Sequence, residues 1–254
     1  MSAIFIVLYV FVVFILAMVI GKMTGKLTGE KFSHVSYFML TTCEGGNIAL
    51  PLYTSIVGAA YASNTVIFDL AGTLVAFVII PIMVAKASAG EMNTKELIKK
   101  ILSNSFVIAV ILALTLNFFG VYDMLSKSAF IDLYTNTIST ATAPIVGMIL
   151  FIIGYDLKVD MSILGSILKL LILRVVIYIG VIAGFFILFP SLMTEKTYMI
   201  AVLIYFMCPT GFAIPMQISS LFKSEEDGNF TSAFLSLFMI ITLIIYAIVV
   251  IFIA

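Results

Sequence analysis

The chain has 254 residues, of which 63% are hydrophobic and 10% charged, with 13 basic and 13 acidic residues and a mean hydropathy of +1.26. A soluble globular domain carries roughly 45–50% apolar and about 25% charged residues, so the composition excludes one, and the balanced charge offers no basic surface for nucleic acid. The apolar residues run in stretches of about 20, the length of a helix crossing a hydrocarbon core, and not in the alternating segments of about 10 that build membrane barrels.

The pattern predicts an all-α integral membrane protein, a single domain over 1–254 with eight transmembrane helices. Helix 1 spans 3–21. It has no basic stretch before it and no small-residue cleavage site after it, so it reads as a retained helix rather than a signal peptide. His34 follows as a lone, solvated juxtamembrane residue. Helix 2 spans 35–57 and contains Glu44, Gly45, Gly46, Asn47 and Pro51. Helix 3 spans 65–85, with Asp69 about one turn in. Helix 4 spans 103–119. Helix 5 spans 135–155 and is bent by Thr140, Thr142 and Pro144. Helix 6 spans 164–189, and its early Lys169 and Arg174 are expected to snorkel to the interface. Helix 7 spans 197–221 and holds Pro209, Thr210, Gly211, Pro215 and Gln217. Helix 8 spans 230–253. Cys43 and Cys208 fall inside apolar segments and read as buried thiols.

Counting basic residues by loop sets the orientation. Lys22, Lys26, Lys31, Lys86, Lys95, Lys99, Lys100, Lys158, Lys169, Arg174 and Lys223 fall on one side, against Lys127 and Lys196 on the other. That bias puts the first side in the cytoplasm and both termini outside, in a plasma-membrane protein.

The stretch 46–52, GNIALPL, resembles 210–216, TGFAIPM. Each copy sits mid-helix with one helix before and one after, so helices 1–3 look like a copy of helices 6–8. Five helices lie between the first residues of the two copies, and an odd number inverts the second. Inverted repeats with paired interrupted helices are typical of secondary transporters. Against that stands a chance match of small and aliphatic residues, since Gly and Pro are common in membrane helices.

Proline lacks an amide hydrogen and clashes with the preceding turn, and it is well placed in the first turn of a new helix. Half-helices are therefore expected to begin near Pro51 and Pro215. Their N-termini would bring free amides and partial positive charge to mid-membrane, forming an anion site without Lys or Arg. The alternative is a pair of simple kinks patched by hydroxyls or water. Gly46, Asn47, Pro51, Thr210, Gly211, Pro215 and Gln217 are the candidate substrate-binding residues. Glu44 and Asp69 are the candidate carriers of a coupling proton or ion, because ionisable groups in a membrane helix are costly. Structural roles compete for both: Glu44 as a stabiliser of the unwound turn, Asp69 as an interfacial helix-start carboxylate. No metal-ligand spacing, cofactor motif or catalytic constellation is present. An aspartyl-like Glu44–Asp69 pair lacks the small-residue context such chemistry uses, so the chain reads as no enzyme.

The residues 32–58, around the GGNIALPL core, resemble the first crossover helix of the auxin efflux carrier family. The residues 143–157, APIVGMILFIIGYDL, resemble that family's Pro…Phe…Gly…Leu segment, and 208–216, CPTGFAIPM, its second crossover helix. The resemblance implies ten helices in two inverted five-helix repeats, a fold shared with bile acid sodium symporters, with the substrate at the crossing of the broken helices. It places Asn47 and Pro51 at the first crossover, and Gly211 and Pro215 at the second. It implies a permease for small organic anions such as malate or malonate, working by alternating access with proton or sodium coupling. Against the family pattern the chain lacks the first two helices, which belong to the scaffold that makes homodimers. The rival expectations are a sodium-coupled, bile-acid-symporter-like carrier and a truncated, non-transporting homologue acting as a sensor or partner subunit.

Overall fold

The computed structural model describes residues 3–26, 29–87, 95, 98, 99, 102, 103, 105–155 and 161–253. Its main helices, in chain order, are α1 (Ala3–Met23), α2 (Ser33–Ser36), α3 (Leu50–Val57), α4 (Ser63–Leu74), α5 (Ile80–Ala87), α6 (Ser105–Phe118), α7 (Val121–Ser126), α8 (Ile131–Tyr155), α9 (Met161–Leu188), α10 (Pro190–Met193), α11 (Lys196–Phe206), α12 (Ala213–Ile218) and α13 (Glu225–Phe252). Among the described residues there is no strand. Four helical stretches are long and apolar enough to cross a membrane: Ala3–Met23, Ser63–Ala87, Ser162–Leu188 and Glu225–Phe252.

The long helices bury one apolar face and expose another. On α1, Ile6, Val10, Phe14, Ala17 and Met18 turn inward, while Ile4, Phe5, Leu8, Val12, Leu16 and Val19 stand exposed. Helix α9 repeats the arrangement, with Ile167, Leu170 and Tyr178 inside and Leu168, Ile172, Val176 and Ile179 outside. A helix on a water-facing surface would carry polar residues there, and exposed apolar area on this scale marks a non-aqueous surrounding. These are membrane-type helices.

Two expected segments are not continuous. The residues 33–57 break into α2, a short 3-10 turn Phe38–Leu40, a non-helical stretch, a widened π turn Gly45–Ala49, and α3. The residues 196–221 break into α11, a non-helical stretch, α12 and a 3-10 turn Ser219–Leu221. By contrast, Ser63–Ala87 stays helical throughout. Its π turn Val75–Ile79 lies between α4 and α5, one residue ahead of the proline at 81. A π turn widens the helix where a proline ring would otherwise press on the preceding carbonyls.

An aromatic cluster backs the breaks. Phe68 of α4 lies 5.3–5.8 Å, centroid to centroid, from Phe185, Tyr198, Tyr205 and Phe206. At one end of the bundle, Lys31 pairs with Glu226, and Phe32 stacks on Phe230 at 4.2 Å. His34 is bound there rather than solvated: its Nε2 lies 3.1 Å from the buried Asp227 carboxylate. That carboxylate also accepts the amides of Lys223 and Ser224 and closes the capping box that starts α13. The loop basic residues Lys100 and Lys158, and Asp156 and Leu157 of the 143–157 segment, lie outside the described residues.

Candidate functional site

The two breaks meet, and their backbone groups are satisfied by one another and by a few side chains. The first break begins at Thr41, whose backbone is extended. Thr42 follows with φ of 42°, a left-handed conformation that is strained for a β-branched residue. Breaking a helix orphans the carbonyls of its last turn, and in an apolar interior each orphan needs a partner. Here the guanidinium of Arg174, on α9, supplies most of them. Its Nη1 donates to Met39 O at 3.0 Å and Thr41 O at 3.1 Å. Its Nη2 donates to Thr42 O at 2.7 Å, and across to the second break at Cys208 O, 3.1 Å away.

Tyr178, one turn further along α9, donates to Leu40 O at 3.1 Å. Thr210 Oγ1 donates to Met39 O at 2.5 Å, and Thr242 of α13 donates to Met207 O at 2.8 Å. The guanidinium lies 4.4 Å from the Tyr178 ring and 5.0 Å from the Phe238 ring. Arg174 is fully buried. It does not snorkel to an interface, as its position early in an apolar run suggested, and it drops out of the loop charge count.

The opposite face of the crossing carries the anion. Glu44 N donates to Pro209 O at 2.7 Å, tying the two breaks together. The Glu44 carboxylate then takes the amides of both resumed helices. Its Oε1 accepts Asn47 Nδ2 at 2.7 Å and Asn47 N at 3.4 Å, and its Oε2 accepts Phe212 N at 2.6 Å. Both α-helices resume near the prolines, as expected: α3 begins at Leu50 with Pro51 in its first turn, and α12 begins at Ala213 with Pro215 as its third residue. On the first break the π turn Gly45–Ala49 precedes α3 and carries helical backbone back towards Glu44.

Asp69 joins Glu44 at the crossing. It accepts a hydrogen bond from Tyr205 OH at 3.2 Å, and it packs so closely on the first break that a Cβ at Gly45 would overlap its carboxylate. This is a reason for glycine at 45. Asp69 stands half-buried beside the interrupted helix.

The crossing opens on a cavity of about 470 Å³, within the usual size range of small-molecule sites. Glu44, Gly46, Asn47, Asp69 and Gly211 line it, with Thr42 and Phe77 among their neighbours, and among the described residues no Lys or Arg does so. Of the sequence candidates, Pro51, Thr210, Pro215 and Gln217 do not line it. Thr210 is spent on Met39 O. Gln217 buries both amide atoms with no hydrogen-bond partner among the described residues. Cys43 and Cys208 are buried free thiols.

Comparison with family models, curated proteins and solved structures returns no match. What the site can do therefore rests on its own geometry. Sequence reasoning missed Arg174, Tyr178, Tyr205 and Thr242. Two signals were present. An arginine within an apolar helix is a functional candidate in its own right, and Tyr178 lies four residues on, along the same helix face.

Proposed function

We propose that this chain is a secondary carrier of a small organic anion, with its transport site in the cavity at the crossing of the two interrupted helices. The observation that carries the reading is the meeting of both breaks on one cavity, lined by Glu44, Asn47 and Asp69 among apolar groups, inside a bundle of membrane-type helices. Irregular backbone at such depth is tolerated where it lines a cavity or lies buried in protein. Matched breaks contributed by two separate helices are how many secondary carriers build a site.

In this reading eight spans cross the plasma membrane with both termini outside, and the chain belongs with the auxin efflux carriers as an inverted-repeat permease. The substrate lies against Asn47, Gly46 and Gly211. Glu44 and Asp69 load the coupling ion, and the absence of Lys or Arg from the cavity lining favours loading of a cation, proton or sodium, with the anion. Thr210 and Arg174 hold the two breaks together so that they move as one body. A homodimer would supply further scaffold.

Uptake of labelled malate and malonate into proteoliposomes, under separately imposed proton and sodium gradients, tests this. Saturable uptake driven by one gradient and lost in Asn47→Ala supports the carrier. A folded protein that takes up neither anion under either gradient overturns it and leaves the sensor or partner-subunit reading.

A further inference from the structure

Glu44 occupies the seat that a carboxylate substrate would need. Three donors of the resumed helices, Asn47 N, Asn47 Nδ2 and Phe212 N, are engaged by its two oxygens. An incoming carboxylate therefore finds these three donors taken, and it meets two carboxylates, Glu44 and Asp69, in a cavity that no Lys or Arg lines among the described residues. The nearest guanidinium, Arg174, lies behind the break with both terminal nitrogens committed to carbonyls.

A second feature of the same cavity points to a ligand. Thr42 Oγ1 is buried and has no hydrogen-bond partner among the described residues, which calls for an explanation in a native structure. It faces the open side of Gly211 together with Glu44: a Cβ built at Gly211 would lie 3.5 Å from Thr42 Oγ1 and 3.9 Å from Glu44 Oε2.

We propose that the Glu44 side chain is an intramolecular competitor for its own carrier's substrate: an external carboxylate binds Asn47 and Phe212 N after Glu44 has taken up a proton and left, with Thr42 Oγ1 serving its second oxygen. Protonation acts in two ways. A neutral carboxyl accepts weaker hydrogen bonds than a carboxylate, so it releases the amides. It also removes one of the two like charges facing the entering anion. Loading therefore couples one proton to one carboxylate with no separate proton site. The other titratable groups around Glu44 are Asp69 on α4 with Tyr205 of α11, Cys43 beside it, and Cys208 of the second break. The ligand class is a small carboxylate on a short apolar stem, the shape of the glutamate side chain itself. The proposal deepens the carrier reading and rests on it for its physiological meaning.

Propionate reproduces that side chain and is the probe, added to the purified full chain in detergent, with equal chloride as the control. At about pH 7.5 propionate leaves the unfolding midpoint of the native protein unchanged and raises that of Glu44→Ala by several degrees. At about pH 5.5 it stabilises the native protein as well, with uptake of about one proton per propionate bound. Should Glu44→Ala fail to fold, Glu44→Gln, which keeps an acceptor oxygen, binds propionate at the higher pH without proton uptake. Equal stabilisation of native and Glu44→Ala proteins at the higher pH, or none of either at any pH, overturns the proposal. Failed malate and malonate uptake beside a propionate-stabilised Glu44→Ala would sink the carrier reading alone.

Discussion

The crossing has two faces built on opposite rules. On the Arg174 face, a cation meets the carbonyl ends of two interrupted helices: Met39, Leu40, Thr41, Thr42, Met207 and Cys208 all have donors, and only Arg174 Nε is left without a partner among the described residues. On the Glu44 face, an anion meets the amide ends, but the group opens on a cavity, has a second carboxylate beside it, and leaves the Thr42 hydroxyl unmatched. The polarity of each face follows from the direction of the backbone dipoles at a helix break. The degree of sealing does not, and it separates structure from function here. The sealed face holds the two breaks together, and the open face is where an exchange of partners costs least.

The largest test of that contrast is Arg174. Arg174→Met would leave Thr41 O and Cys208 O without their donor and take one of two donors from Met39 O and Thr42 O, and is expected to cost about 3–5 kcal/mol, read as loss of folded protein by size-exclusion and thermal unfolding. Arg174→Lys should restore only part, because an ammonium cannot fork to carbonyls of both breaks. Full stability in either variant would break the comparison.

Gly45→Ala comes next. Its methyl group must displace the Asp69 carboxylate or the Tyr205 ring, at a cost of about 1–3 kcal/mol. The expected signature is a lowered unfolding midpoint together with lost uptake. Thr42→Gly runs the other way. It relieves a positive φ and leaves the carbonyl to Arg174 intact, for a net gain of about 1 kcal/mol. A less stable Thr42→Gly protein would show that the threonine side chain, and not its backbone, matters at this position. Last is Lys31→Ala. Its ion pair to Glu226 joins two substantially exposed side chains, so the change should stay within about 0.5 kcal/mol and leave uptake unaltered, in sharp contrast to every residue at the crossing.

Much of this was legible in the sequence for identifiable reasons. The span of each helix follows from runs of apolar residues, and the ends seen for α1, α6 and α9 fall within a few residues of expectation. The two breaks announce themselves through Gly45-Gly46-Asn47 and Pro209-Thr210-Gly211. Proline suits a first turn, and the α-helices do resume near Pro51 and Pro215, at Leu50 and Ala213; the π turn that precedes α3 from Gly45, next to Glu44, has no such local signal. Arg174 was read as interfacial because an arginine near a helix end usually escapes to water. Nothing local shows that six carbonyl groups from two distant segments need donors at that level of the bundle.

By itself the sequence determined a helical membrane chain with two interrupted segments, because apolar length and proline chemistry act over a few residues and need no partner. Which charge meets which break was decided by the tertiary structure. Glu44 lies 168 residues from Phe212, and Arg174 lies 135 from Met39. The pairing depends on how the helices pack, and in an apolar interior that packing must satisfy every backbone group the breaks set free.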